Sequence, residues 1–596
     1  MEDVKTLGRT DYVVITLTLA ISVAIGLYYR LTGGRQKTVE EYFSANKTMG
    51  PLSISICLMV SFMSAITLLG VSAENYAYGT HFVIINLSYL IGTPLVCYGY
   101  LPVFYKLQAT STYEYLERRF GVSARLLASF IVWLQMLLYS GIVLYAPALA
   151  FETTTGLPKL TSILSVGFAC AFYSSVGGIK AVLITDIFQA ILMFASLIII
   201  IICASSSAGG IDKIWDIAEK GGRIEFTNFS LDPTERHTWW GLLIGGMCTF
   251  LSLYGVNQIQ VQRMLTVKNL KSARNALWLS WPILTLLSIM TCFSGLAIYS
   301  KYFDCDPRTV QRIKKNDMLM PLFVMEMTSS LPGLPGLFIA GIFSAGLSTI
   351  SAALNALAAI SLEDYIKPLY FKWTKKQFSN KKSLICSKFL AFVLGMICII
   401  LAILAQYLES ILQMSLTIFG IVGGPLVGLF TLGMLFESST QRGAIIGTSV
   451  SLIFLLWISF GGPRPGPQTL PVSIEGCDSD LLARLNLTSN TNGTIGNFSN
   501  QSEFFYLYRI SYLWIAPIGL AITIVIGWIT SNLLQCFGID RVKENLDPDL
   551  FFPFIAKRIR NRRKNEREVD FDETNLQKYQ FNQNVNDGRT QESLCS

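Results

Sequence analysis

Histidine is nearly missing from this 596-residue chain, which contains only His81 and His237. A histidine-rich metal centre or a Ser-His-Asp hydrolase site is hard to assemble from so few. Charge is scarce as well: 14% of residues are Asp, Glu, Lys or Arg against 52% hydrophobic, a balance foreign to soluble domains. The twelve cysteines include no Cys-x-x-Cys pair. Eight of them (Cys57, Cys97, Cys170, Cys203, Cys248, Cys292, Cys386, Cys398) lie in apolar blocks and read as inert core thiols. A cleavable leader is also lacking, since the N-terminus opens on acidic and polar residues and the first apolar block, Tyr12 to Tyr29, is long enough to stay as a span. Enzyme chemistry loses ground, because no nucleophile and base can be placed side by side. The net charge of +8 gathers in particular loops and the tail, which is a topology signal and calls for no nucleic acid.

What the chain has in abundance is apolar blocks near the ~20 residues needed to cross a bilayer. Thirteen candidate spans lie near 11–30, 50–72, 82–104, 124–151, 160–177, 181–205, 239–261, 275–300, 334–362, 385–407, 410–436, 443–460 and 510–535. With the N-terminus outside, Lys and Arg fall on the cytoplasmic connections throughout, the 301–315 loop being the main exception. Asn486, Asn492, Asn497 and Asn500 each begin an Asn-x-Ser/Thr sequon in the loop after the twelfth span, which places that loop outside as well. Asn228 supplies a further sequon in an outside loop. The expected architecture is an all-α polytopic membrane protein with the C-terminus cytoplasmic. Its tail carries a basic cluster (Lys557, Arg558, Arg560, Arg562, Arg563, Lys564), either solvated or in contact with anionic lipid of the inner leaflet.

Polar residues inside the spans mark where work is done, since an ionisable group at mid-bilayer costs about 2.5–3.5 kcal/mol. Asp186 is the clearest, with Gln189 on the same helical face; it suits a cation site or a pairing with Lys180. The stretch Phe343 to Asn355, FSAGLSTISAALN, carries Ser344, Ser348, Thr349 and Ser351 among small residues. That face suits a small hard cation or close helix packing, and both readings stand. The second span lines Ser61, Ser64 and Thr67 on one face between Pro51 and Gly70. The seventh holds Gly245, Gly246 and Gly255 with Asn257, Gln258, Gln260 and Gln262. Both read as interrupted helices, whose freed backbone groups bind ions and substrate. They are five spans apart, the expected sign of two five-helix inverted repeats. Gly420, Gly423, Gly424 and Pro425 in the eleventh span suit either a flexible gate or packing.

Several motifs occur in a telling order: SFMSAITLLG (61–70), LPVFYKL and TSTYEYLERRF (101–120), LYSGIVLYAPALA (138–150), GGIKAVLITDIFQ (177–189), RHTWW (236–240), LYGVNQIQVQR (253–263), DCDP (304–307) and the run 331–368 around FSAGLSTISAALN. Together they resemble the sodium/solute symporter family, in the branch of sodium-coupled monocarboxylate, multivitamin and iodide transporters. The resemblance implies a LeuT-like 5+5 fold. It divides the chain into 1–49 (N-terminus and extra first helix), 50–205 (first repeat), 206–238 (outer loop), 239–436 (second repeat), 437–535 (two helices with the outer loop 461–509) and 536–596 (tail). It also implies multi-pass residence in the plasma membrane, sodium as coupling ion and no organic cofactor.

By the same resemblance one sodium site takes the Ser348 and Thr349 hydroxyls and the Ala345 carbonyl, with carbonyls near Val60 and Met63. A second draws on Ser61, Asp186, Gln189 and Gln258. The substrate lies against Ser64, Thr67, Tyr139, Phe250, Tyr254 and Leu416. Thr67 resembles the monocarboxylate branch, whereas Phe250 and FSAGLST depart from the usual pattern. The expectation is symport of a small organic anion such as lactate, pyruvate, a short-chain fatty acid or nicotinate. Biotin, pantothenate or iodide is the alternative within the family, and a sodium-gated solute sensor or conductance the alternative outside it. Cys305 and Cys477 both fall in outside loops, where an oxidising compartment permits them to pair.

Overall fold

The computed structural model describes residues 7–32, 47, 49–108, 111–176, 179–328, 331–408, 410–466, 468–479, 482, 494–495, 503–542 and 546–565. The sequons Asn486, Asn492, Asn497 and Asn500 lie outside these. Among the described residues, helices dominate and a two-residue pair, Val472–Ser473 with Thr494–Ile495, is the sole sheet. Nine helices are long and apolar enough to cross a membrane, and they carry their exposed Ile, Leu and Phe side chains outward, as a lipid solvent requires. Two bent pairs bring the number of crossings to as many as eleven. Two further helices, α1 (Arg9–Thr32) and α7 (Lys159–Val176), occupy the positions of the expected first and fifth spans.

The chain runs from α1 into the first bent pair, α2 (Pro51–Phe62) and α3 (Thr67–Tyr78), then α4 (Thr80–Leu107) and a short α5 (Glu114–Arg119). Next come α6 (Val122–Thr155), α7, α8 (Ile179–Ala208) and the surface helix α9 (Ile211–Lys220). The second bent pair is α10 (Gly241–Val256) and α11 (Gln258–Met264), followed by α12 (Leu270–Lys301) and α13 (Leu319–Thr328). The remainder comprises α14 (Leu334–Thr374), α15 (Asn380–Ala405), α16 (Ile411–Leu435), α17 (Gln441–Phe460), α18 (Tyr512–Cys536) and the tail helix α19 (553–565).

Capping residues, not glycines, make the two breaks. The first pair bends by 64° at Met63 and Ser64: Met63 is extended, and the Ser64 carbonyl starts α3 by accepting the Thr67 and Leu68 N–H groups. The Ser64 N–H in turn donates to Thr67 Oγ1 at 3.3 Å. The second pair bends by 57° at Asn257, whose extended backbone and Oδ1, accepting from the Ile259 N–H at 2.9 Å, form an ordinary N-cap. The glycines expected to interrupt these spans serve close packing instead. A Cβ on Gly70 would meet Leu412 Cβ at 2.7 Å, and one on Gly245 the Leu513 carbonyl oxygen at 2.2 Å. Likewise α16 runs unbroken through Gly420 to Pro425, and a Cβ on Gly424 would meet the Ala516 carbonyl oxygen at 2.4 Å. These glycines let α18 lie against α16.

The buried centre is the stretch Leu334–Ile360 of α14, apolar or small on every side and covered on nearly every side. Its N-terminus is clipped to α1 by Asp11, whose Oδ1 accepts the Gly333 and Gly336 N–H groups at 3.0 Å each, a carboxylate on the positive end of a helix. The 469–478 loop is fastened to the loop after α12 by backbone bonds from Asp306 to Ser473 and from Gly476 to Asp304, and by a disulfide between Cys305 and Cys477. Asn228 donates its amide to Glu235 and to the His237 carbonyl. It organises its loop, so the sequon there has a structural occupation.

The tail is less solvated than its charge suggests. Ile555, Ala556 and Ile559 face the helix bundle, the Phe552 N–H donates to the Met434 carbonyl, and Arg562 pairs with Glu437 at 2.7 Å. Arg119 is 2% exposed: it lies between the Phe120 and Phe551 rings and donates to the Gly433 and Phe436 carbonyls at the end of α16.

Candidate functional site

Between the two breaks lies a cavity of about 90 Å³. Its lining includes no Asp, Glu, Lys, Arg or His. From the first break come Ser61, Met63, Ser64 and Thr67, from α6 Tyr139, from α14 Thr349, and from α16 Ser415, Leu416 and Phe419. Tyr139 Oη donates to Ser64 Oγ at 3.3 Å, and the ring meets Phe419 edge-on at 4.6 Å. The cavity thus pairs apolar walls with a few oriented hydroxyls, the usual make-up of a small-solute site.

Four of the six residues expected to face substrate, Ser64, Thr67, Tyr139 and Leu416, line this cavity. Phe250 and Tyr254 do not. They stack on each other at 4.4 Å and on Tyr89 and Phe62, forming an aromatic wall behind the lining. Tyr254 Oη is directed to the Leu58 carbonyl at 3.1 Å. The lining residues that the sequence did not single out as such include Phe62, Tyr89, Asn257 and Gln260. Asn257 and Gln260 were legible as costly polar residues in an apolar span, and Gln260 donates to the Leu58 carbonyl at 3.1 Å.

The expected sodium ligands fall into two groups. Ser348 Oγ donates to Asp186 Oδ1 at 2.5 Å, so α14 and α8 meet through a fully buried carboxylate. Gln189, one turn along α8, is also fully buried, with neither side-chain atom hydrogen-bonded. Thr349 Oγ1 donates to the Ala345 carbonyl at 3.0 Å and reaches the cavity wall. Facing it, α2 ends at Phe62 beside Val60 and Met63, and a helix end leaves its last carbonyls without intrahelical partners. Carboxylate, hydroxyl, amide and carbonyl oxygens are the donors a hard cation takes, and Gln189 offers one that nothing else uses. Ser351 serves packing by donating back to the Ser348 carbonyl, and Ser61 bonds the Cys57 carbonyl while facing the cavity.

Gln258 stands apart from this cluster. Its Oε1 accepts from the Thr112 N–H at 2.7 Å and from Thr112 Oγ1 at 2.8 Å, which ties α11 to the chain before α5. Asp186 takes Arg263 as a partner, Nη2 to Oδ2 at 2.7 Å; the side chain of Lys180, the partner expected from the sequence, lies outside the described residues. Arg263 reads in the sequence as one more positive-inside residue, which is why its role there is hidden.

Two charge networks lie at opposite ends of the broken spans. At one, Arg236 grips Glu74 with two bonds (2.6 and 3.0 Å), stacks 3.9 Å over Tyr78 and reaches Gln413 at the start of α16. His237 meets Glu74 at 3.0 Å and Tyr512 at 3.1 Å, and burial pushes its imidazole below the usual pKa. At the other, Arg125 joins Asp364 on α14 to Glu117 on α5, and Ser111 adds a bond to Asp364 at 3.2 Å.

Two broken helices framing an uncharged cavity, with a buried carboxylate and hydroxyl cluster beside it, describe a secondary transporter. The sequence profile of the sodium:solute symporter family matches residues 42–450. The chain belongs to the sodium:solute symporter family. This symporter is 50% identical over 565 residues to a putative sodium-dependent multivitamin transporter of Drosophila melanogaster, covering 94% of this chain and 93% of that one. It is 40% identical to human sodium-coupled monocarboxylate transporter 1, covering 90% and 88%. Among solved structures it resembles a substrate-bound, outward-open sodium-coupled sialic acid symporter at TM-score 0.72 and 25% identity, covering 88% and 98%. A nucleobase-cation-symport-1 transporter matches at 0.51 and 12%, covering 85% and 97%, and shows the same fold. The symporter is therefore a multi-pass, sodium-coupled membrane protein of LeuT-like architecture, and not an enzyme.

Proposed function

We propose that this symporter carries a small organic monocarboxylate inward with sodium by alternating access, through thirteen crossings with the N-terminus outside and two inverted repeats meeting at the cavity. The carrying observation is the lining: hydroxyl donors from Ser64, Thr67 and Tyr139, apolar walls, and no fixed cation in about 90 Å³. An anion there finds its positive charge in sodium held by Thr349 and the end of α2. Two sodium ions with one monoanion move one net charge, so 100 mV adds about 2.3 kcal/mol. A tenfold sodium gradient adds about 1.4 kcal/mol per ion.

A second reading, uptake of biotin or pantothenate, is favoured by the 50% identity to the Drosophila relative. Radiotracer uptake of lactate, nicotinate, biotin, pantothenate and iodide, with sodium or choline outside, separates the two. Sodium-dependent lactate or nicotinate accumulation supports the first reading, and accumulation of vitamins alone overturns it. Sodium current without solute accumulation points to a sensor or conductance.

A further inference from the structure

Among the described residues, each oxygen of the Asp186 carboxylate has one partner. Oδ1 accepts from Ser348, and Oδ2 faces Arg263 Nη2 at 2.7 Å. Asp186 is fully buried and the Arg263 side chain 3% exposed, so neither charge has water to fall back on. A buried carboxylate stripped of its partner is strongly destabilising. The guanidinium stands where a bound cation would stand, while Gln189 keeps two unpartnered amide atoms one turn away. One positive charge balances Asp186; sodium and guanidinium together would leave a surplus charge in a dry site.

Arg263 also lies one residue from the end of α11, the inner half of the second broken span, whereas Asp186 sits on α8. Two further ties of α11 to its surroundings, Gln260 to the Leu58 carbonyl and Gln258 to Thr112, are neutral hydrogen bonds. The Arg263–Asp186 ion pair is a charged fastening between α11 and α8.

We propose that Arg263 is a built-in cation that competes with sodium for Asp186, and that sodium binding unfastens α11 from α8 by displacing it. The proposal rests on the sodium-symport reading. It gives the protein a charge-balanced state without sodium and couples sodium binding to the bend at Asn257. Arg263 acts through Asp186, so it is a positioning residue.

The test is thermal unfolding of the purified full chain across a sodium titration, with choline holding ionic strength constant. Arg263→Gln should unfold at lower temperature than wild type in choline, and saturating sodium should narrow the gap. Its half-saturating sodium should fall at least about tenfold, the effect of removing a competitor worth about 1.4 kcal/mol. An unchanged half-saturation, with the same deficit in choline and in sodium, overturns the proposal as a purely structural ion pair. Should Arg263→Gln not fold, Arg263→Lys decides: its single-point charge competes less well than a planar fork, so half-saturation should fall by at least about threefold, which is about 0.65 kcal/mol. No change there overturns the proposal too. Wild type lacking both a sodium-dependent shift and sodium-dependent uptake would instead sink the symport reading itself. A responsive wild type with unresponsive variants sinks only the role of Arg263.

Discussion

Ser348 and Thr349 are neighbours in sequence with different duties, because consecutive helical positions point about 100° apart. Ser348 faces α8 and bonds Asp186; Thr349 faces the cavity and the end of α2. Ser348→Ala removes a hydrogen bond to a buried charge, a change of about 1.5–3 kcal/mol. It should raise the sodium concentration for half-maximal uptake by tenfold or more. Thr349→Ala should do likewise while Thr349→Ser retains function, with surface biotinylation showing equal expression. Wild-type sodium activation in both alanine variants would remove the assignment. Tyr139→Phe, which deletes the donor to Ser64 and keeps the ring, should raise the substrate KM about 3–10-fold, the worth of one neutral hydrogen bond. An unchanged KM in tracer uptake would take Tyr139 out of the solute site.

At the scale of elements, helices end where a cap can hold the freed backbone, and glycine governs how closely they pack. In α16 a Cβ on Gly424 would sit 2.4 Å from the Ala516 carbonyl oxygen on α18. Gly424→Val should therefore force the two helices apart, costing about 1–3 kcal/mol by overpacking and lowering the unfolding temperature. A gate hinge at this glycine predicts the opposite pattern, with stability unchanged and turnover slowed. Removing the Asn257 cap by Asn257→Ala should cost about 1 kcal/mol and fall on the start of α11, where Gln258 and Gln260 make their bonds.

For the molecule as a whole, the face that carries the 469–478 loop holds two testable devices. The Cys305–Cys477 bond closes a loop spanning 172 positions, so Cys305→Ser should lower the unfolding temperature, in keeping with about 2–4 kcal/mol for a typical bridge. Retained sodium-dependent uptake in that variant would show the bridge to be a staple outside the transport cycle. Nearby, burial pushes the Asp317 carboxyl from 3.8 up to about 6, partly offset by the Ile411 N–H and Lys315. A folded-state value above the unfolded one gives stability that is present below about pH 4 and lost as pH rises through about 6. Asp317→Asn should flatten that decline in a thermal-unfolding series across the window; an unaltered slope would show that other groups cause it.

Much of this was legible in the chain. The apolar blocks had to become spans because no other use of so much uncharged helix survives water, and Asp186, Ser348 and Thr349 stood out because polar groups in such blocks are costly. Sequence alone also marked the second and seventh spans as candidate broken helices, through polar residues such as Ser64, Thr67 and Asn257 together with Pro51 and glycines that turn out to serve packing. What it left open was how distant residues pair. Gly70, Gly245 and Gly424 read equally as hinges or as contacts, and only the helix pressed against each decided. Phe250 and Tyr254 carry the right chemistry for a solute wall, yet their rotation about α10 turns them toward Tyr89 and Phe62. Arg263 looked like a topology charge until the bend at Asn257 swung α11 beneath Asp186. Hydropathy and local spacing report the cost of each residue in lipid, which is a property of single segments; partners depend on the bends between segments, and those exist only in three dimensions.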